Sequence, residues 1–132
     1  MRRWTITFSA AFCLPLWMAA CASSPPASQK FVVFFEGWSA ALDAPAQTMI
    51  STAAKWADEH PDEVVTVAGF ADPEGSPQAN VAMSRTRAQV VADQLMRDGV
   101  ARTRIRITAQ GPTDFTLTSL ESRRVEVAIA GL

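Results

Sequence analysis

The chain has 132 residues, with twelve Lys or Arg against thirteen Asp or Glu, one histidine and two cysteines. This balance leaves no basic footprint for nucleic acid. The single histidine, His60 beside Pro61, excludes histidine-dependent triads and histidine-rich zinc sites, so no metal and no cofactor is expected.

Met1-Arg2-Arg3 is a basic start, and the run Trp4–Ala20 that follows is uncharged. A charged start, an apolar middle and small residues before a cut form the pattern of a secretory signal peptide. The run sits at the short edge of a membrane span and contains Pro15, which favours removal over retention. Arg2-Arg3 leaves a twin-arginine export signal open, but a plain basic start fits the following residues better. Met18-Ala19-Ala20-Cys21 resembles a bacterial lipobox. That resemblance implies acylation of Cys21 as the first mature residue, and Ala22 after it fits an outer-membrane address. An ordinary signal peptide that happens to contain Cys21 is the alternative. The stretch Ala22–Gln29 has the composition of a linker. Its eight residues reach at most about 30 Å. The expected division is a signal peptide over 1–20, an acylated cysteine with its linker over 21–30, and one domain over 31–132. With Cys13 in the leader and Cys21 lipidated, the domain carries no thiol.

Lys30–Glu36 reads as a buried strand, interrupted by Gly37-Trp38-Ser39. Asp43 is a candidate N-cap, with Pro45 in the first helical turn. Ala46, Met49, Ile50, Ala53 and Ala57 recur at helical spacing and predict one core-facing stripe. Pro61 ends that helix and leaves His60 as a loop or capping residue. A second strand follows over Glu63–Phe70, then a helix from about Gln78 to Asp98 with Ser84, Ala88, Val91 and Leu95 inward and Gly99 as the stop. The alternating stretches Arg104–Thr108 and Arg124–Ile129 predict two further strands, joined by a loop over Gln110–Ser122. The order β-α-β-α-β-β predicts an α/β (α+β) sandwich of two helices on a four-stranded mixed sheet.

The stretch between the second strand and second helix holds the candidate chemistry. Asp72 stands just past a strand end, and Arg87 lies fifteen positions later on the helix. A start near Asn80 would place Arg87 about 10 Å along the axis. The two charges could face one group carrying both an ammonium and a carboxylate. Arginine forks onto a carboxylate, and an ionised Asp only accepts. Backbone N–H groups at the helix start would add donors for an anion, and Asn80 would cap the helix or shape the loop. On the residues alone the plainer reading is favoured, in which Asp72 and Arg87 pair with each other or Asp72 caps its own loop, because acids after strands and arginines on helices are common. Arg85 is read as solvated. Arg102, Arg104 and Arg106 read as a charged sheet edge, or else as a surface for an anionic polymer or protein partner. Trp38 is expected to pack in the core rather than stack on sugar.

Gly69-Phe70-Ala71-Asp72, then Asn80, Met83, Ser84, Arg87 and Ala88, and the closing Arg123-Arg124-Val125-Glu126 resemble the OmpA-like peptidoglycan-binding domain family. The resemblance covers about residues 31–130 and implies the same sandwich fold. It implies that Asp72 takes the amine and Arg87 the carboxylate of diaminopimelate in a cell-wall stem peptide, with Asn80 beside them. Ala71 stands where the family has Thr, and Phe35-Glu36-Gly37-Trp38-Ser39 replaces its F-D-x-x-S segment. The function implied is that of a Pal-like lipoprotein, non-enzymatic and lipid-anchored in the outer membrane with its domain in the periplasm. Its partners would be the peptidoglycan stem peptide, the membrane and envelope-complex proteins. The alternative is an OmpA-like interaction module of an envelope or secretion complex with weak or no wall binding. A wall-cutting enzyme fits least, since no thiol, usable histidine or carboxylate pair shares a motif.

Overall fold

The computed structural model describes residues 28–112 and 119–131. The expected leader, Cys21, the first part of the linker and the middle of the loop after β3 lie outside the described residues. The elements are β1 Gln29–Phe34, α1 Ala44–Glu59, β2 Val64–Ala71, α2 Pro77–Arg97, β3 Ile105–Pro112, α3 Ser119–Ser122 and β4 Arg124–Ala130. A 3-10 turn at Arg102–Arg104 precedes β3.

The four strands form one mixed sheet in the order β1-β4-β2-β3. β4 is antiparallel to both β1 and β2, whereas β2 and β3 are parallel. β1 and β2 therefore run the same way with β4 inserted between them. Pairing of Phe34 with Arg124, and of Gly69 with Val125, sets the ends of β1 and β2 beside the start of β4. The loops that leave β1 and β2 thus meet the residues that enter β4.

Alternation along each strand sends one side of the pleat inward. Phe31, Val33 and Phe35, then Val65 and Val67, then Val125, Val127 and Ile129 are buried in one cluster. Ile50, Ala53 and Ala57 of α1 and Ala88, Val91 and Leu95 of α2 complete it, so both helices cover the same face. Each fully buried side chain of the size of Ile50 or Leu95 contributes about 1.5–3 kcal/mol. The run Phe31–Phe35 is therefore not buried throughout: Phe34 points to the other face and is 47% exposed. Met49 likewise leaves the predicted stripe and is 39% exposed, with Ala54 buried instead.

Asp43 caps α1 as expected, its Oδ1 accepting from the Ala46 N–H at 2.8 Å. His60 closes the helix through its backbone N–H to the Ala57 carbonyl, and its ring stacks on Trp56 at 3.6 Å. Arg104 is not the solvated edge charge that its strand position predicts. Its guanidinium donates to the carbonyls of Glu63, Ala57 and His60 at 2.9, 3.0 and 2.7 Å. It gathers carbonyls at and just beyond the end of α1, where a cation also suits the helix dipole. Arg102 and Arg106 are exposed, as is Arg85.

β2 does not stop at Phe70. The strand continues to Ala71 through an irregularity at Gly69/Phe70, and Gly69 is where α2 crosses it. A Cβ there would lie 2.0 Å from the Ser84 carbonyl oxygen and 3.1 Å from the Ala88 Cβ. β3 also runs further than its alternation predicts, to Pro112. Ser84 explains the extension: its Oγ donates to the Val81 carbonyl at 2.8 Å and accepts from the Gly111 N–H at 3.2 Å.

Candidate functional site

Asp72 is the first residue past β2, and its Oδ1 accepts from the Glu74 N–H at 3.1 Å. This is an Asx turn, which starts the loop without spending the second carboxylate oxygen. Gly75 follows at φ +94°, a conformation that glycine adopts without a Cβ penalty. Ser76, not Asn80, caps α2, with its Oγ accepting from the Ala79 N–H at 3.5 Å and Pro77 opening the helix. The helix start is thus partly answered by its own cap. Arg87 lies about 15 Å along the axis from Pro77 rather than about 10 Å.

Asn80 shapes the loop instead. It is buried, and its Nδ2 donates to the Glu74 carbonyl at 2.9 Å. Its Oδ1 is buried with no hydrogen-bond partner.

Arg87 is only 1% exposed. Its Nε donates to the Ser39 carbonyl at 2.8 Å, and an Nη donates to the Gly37 carbonyl. The guanidinium lies 5.3 Å from the Phe35 ring centroid, a cation–π contact. Burial pushes its pKa down, the nearby Arg123 pushes it further down, and Asp72 draws it back up. Asp72 and Arg87 are close enough to feel each other, yet they form no ion pair; the pairs among the described residues are Lys30–Glu126 and Arg124–Glu126.

These groups line one cleft of about 380 Å³. Asp72, Glu74 and Asn80 line it together with Arg87 and Arg123, which bring two guanidiniums to the same cleft. Trp38 lines its mouth and is exposed rather than packed in the core. Arg123 is a residue that site reasoning from sequence passes over, because it appears there only as part of the closing strand pattern. Its Nε is buried without a partner. The signal that finds it is topological: only insertion of β4 between β1 and β2 brings its first residues to the ends of both. The cleft sits outside the carboxyl ends of β1 and β2, the side of an open α/β sheet on which ligands bind. Among the described residues no group of His, Cys, Asp and Glu side chains could hold a metal ion, and no helix is long and apolar enough to cross a membrane.

Residues 34–125 match the profile of the OmpA family. The chain is 33% identical over 102 residues to the peptidoglycan-associated lipoprotein of Brucella melitensis, covering 73% of this chain and 61% of that protein. It is 30% identical over 106 residues to the probable lipoprotein YiaD of Escherichia coli, covering 76% of this chain and 48% of that one. The chain thus spans about six-tenths or less of the length of these two relatives. Among solved structures, the peptidoglycan-associated lipoprotein from Burkholderia pseudomallei superposes with a TM-score of 0.68 at 21% identity, over 75% of this chain and 89% of that one. The periplasmic domain of Helicobacter pylori MotB does so with a TM-score of 0.66 at 19% identity, over 81% and 77%. Those likenesses carry the sandwich of two long helices on a mixed four-stranded sheet. The profile match over most of the chain and the relative at 33% identity show that the chain belongs to the OmpA family.

Proposed function

We propose that the chain binds peptidoglycan non-covalently, through the zwitterionic end of diaminopimelate in the stem peptide. The observation that carries this is the cleft's charge arrangement: Asp72, Arg87 and Arg123 all line one cleft, and Asp72 forms no ion pair with Arg87. Asp72 would accept from the ammonium with the carboxylate oxygen that does not bond the Glu74 N–H, with Asn80 lining the cleft beside it. A carboxylate near Arg87 would offset the burial of its guanidinium and its repulsion by Arg123, which in that order depress the pKa of Arg87. The names of relatives at about a third identity support the wall as the partner. The role is one of binding, and no catalytic step is assigned to any residue.

The same relatives are named as lipoproteins, which supports acylation at Cys21 and an outer-membrane anchor with the domain in the periplasm. Together the two attachments make a tether between membrane and wall. Palmitate labelling of cells that express the chain tests the anchor: Cys21→Ser is expected to abolish it, and unchanged labelling contradicts the assignment.

Wall binding is tested by co-sedimentation with diaminopimelate-containing sacculi. The wild-type chain is expected to pellet, and Asp72→Asn to stay in the supernatant. Failure of the wild type to pellet, together with retention of an envelope protein by the wild type and by Asp72→Asn alike, would favour the interaction-module reading instead.

A further inference from the structure

Trp38 is 64% exposed, although tryptophan is on average a well-buried residue. Its position is nevertheless fixed from below. The carbonyls of Gly37 and Ser39, on either side of it, both accept from the Arg87 guanidinium. The loop that presents the indole is therefore fastened to a cation of the cleft. Beside it lies Gly75, also in the cleft lining, where a Cβ would lie 3.6 Å from Cζ2 and 3.9 Å from Cη2 of Trp38. The indole edge thus approaches the loop that carries Asp72 and Glu74. The cleft volume, about 380 Å³, falls in the range of pockets that take drug-sized molecules. That is more room than the charged head of one amino acid needs.

We propose that Trp38 is a second subsite of the cleft, a stacking platform for a C–H-rich face of the guest next to its zwitterionic head. This rests on the zwitterion reading given above. An indole offers a broad apolar surface with a negative face, which attracts polarised C–H groups at little entropic cost. In a wall fragment two groups supply such a face: the alkyl side of the neighbouring stem-peptide residue and the ring of the amino sugar. Free diaminopimelate carries neither.

The test is calorimetric titration of the full chain with three probes: free meso-diaminopimelate, a stem tripeptide containing it, and that tripeptide joined to its disaccharide. Trp38→Ala is expected to weaken binding about tenfold, the scale of a truncated aromatic anchor, while leaving free diaminopimelate within about twofold. A loss already present with the tripeptide assigns the face to peptide, and a loss confined to the third probe assigns it to sugar. Trp38→Phe is expected to retain most of the affinity, because a smaller aromatic platform remains. An equal loss on all three probes would make Trp38 a loop-positioning residue and overturn the proposal, as would no loss on any. If the wild-type chain binds none of the probes, the zwitterion reading falls and takes this one with it. Binding by the wild type that Trp38→Ala leaves untouched sinks the platform alone.

Discussion

Gly69 passes beneath Ser84 so closely that a Cβ built on it would lie 2.0 Å from the Ser84 carbonyl oxygen. The obstacle is helix backbone, which cannot turn aside as a flexible side chain can. Gly69→Ala is therefore expected to push α2 off β2 and to cost about 3 kcal/mol, the upper end of overpacking penalties. Chemical denaturation measures it. A loss below about 0.5 kcal/mol, the scale of a surface substitution, would show that the crossing is looser than described.

Arg87 and Asp72 differ in how far stability and binding can be separated. Arg87 holds the loop through the carbonyls of Gly37 and Ser39, and its removal leaves both without that donor. Arg87→Ala is expected to cost about 2–3 kcal/mol as well as binding, and Arg87→Lys to recover only part of each, because an ammonium cannot reproduce the fork. Asp72→Asn keeps an oxygen for the Glu74 N–H and removes only the charge. Its stability is expected to stay within about 0.5 kcal/mol of the wild type while binding is lost. Equal destabilisation by Asp72→Asn and Arg87→Ala in thermal melts would contradict this division of roles.

Arg104 serves the fold at the opposite end of the sheet from the cleft. Its three bonds to carbonyls at and beyond the end of α1 make Arg104→Ala a cost of about 2–3 kcal/mol. Sacculus binding by the folded fraction should be unchanged. Loss of sedimentation in a sample shown to be folded by circular dichroism would contradict a purely structural role.

Glu126 supplies a pH dependence. Burial alone raises its pKa, but hydrogen bonds from Lys30 and Arg124 at 2.9 Å, with their charges, outweigh burial and hold the carboxyl below its ordinary value. A carboxyl depressed on folding contributes stability above its unfolded pKa, and that contribution is lost as pH falls through the folded one. Glu126→Gln is expected to cost about 1 kcal/mol at neutral pH, the scale of exposed or half-buried pairs. The gap from wild type should close below the usual carboxylate range. A gap that persists or widens in acid would refute the sign.

The strands and helices were legible because their periods were clean: Val65 and Val67, Val125 and Val127, and the stripe from Ser84 to Leu95 all face the core as spacing predicts. Asp72 and Arg87 were legible only through the family pattern, since an acid after a strand and an arginine on a helix are each commonplace. What stayed hidden depends on long-range placement. Nothing local to Arg104 announces carbonyls more than forty residues away. Arg123 reaches the cleft only because β4 inserts between β1 and β2. Trp38 is the type of residue that cores take up, and only the three-dimensional path of its loop turns it outward. Gly69 lies inside the predicted strand, and nothing local to it announces that α2 crosses there.

The most direct measurement is a titration of the full chain with a diaminopimelate-containing stem peptide, followed by backbone amide shifts in the wild type and in Asp72→Asn. Saturable shifts concentrated at Asp72, Asn80, Arg87 and Arg123, and absent from the variant, are the predicted result. Shifts elsewhere, or identical titrations of both proteins, would contradict the claim that these opposite charges turn toward one zwitterionic guest.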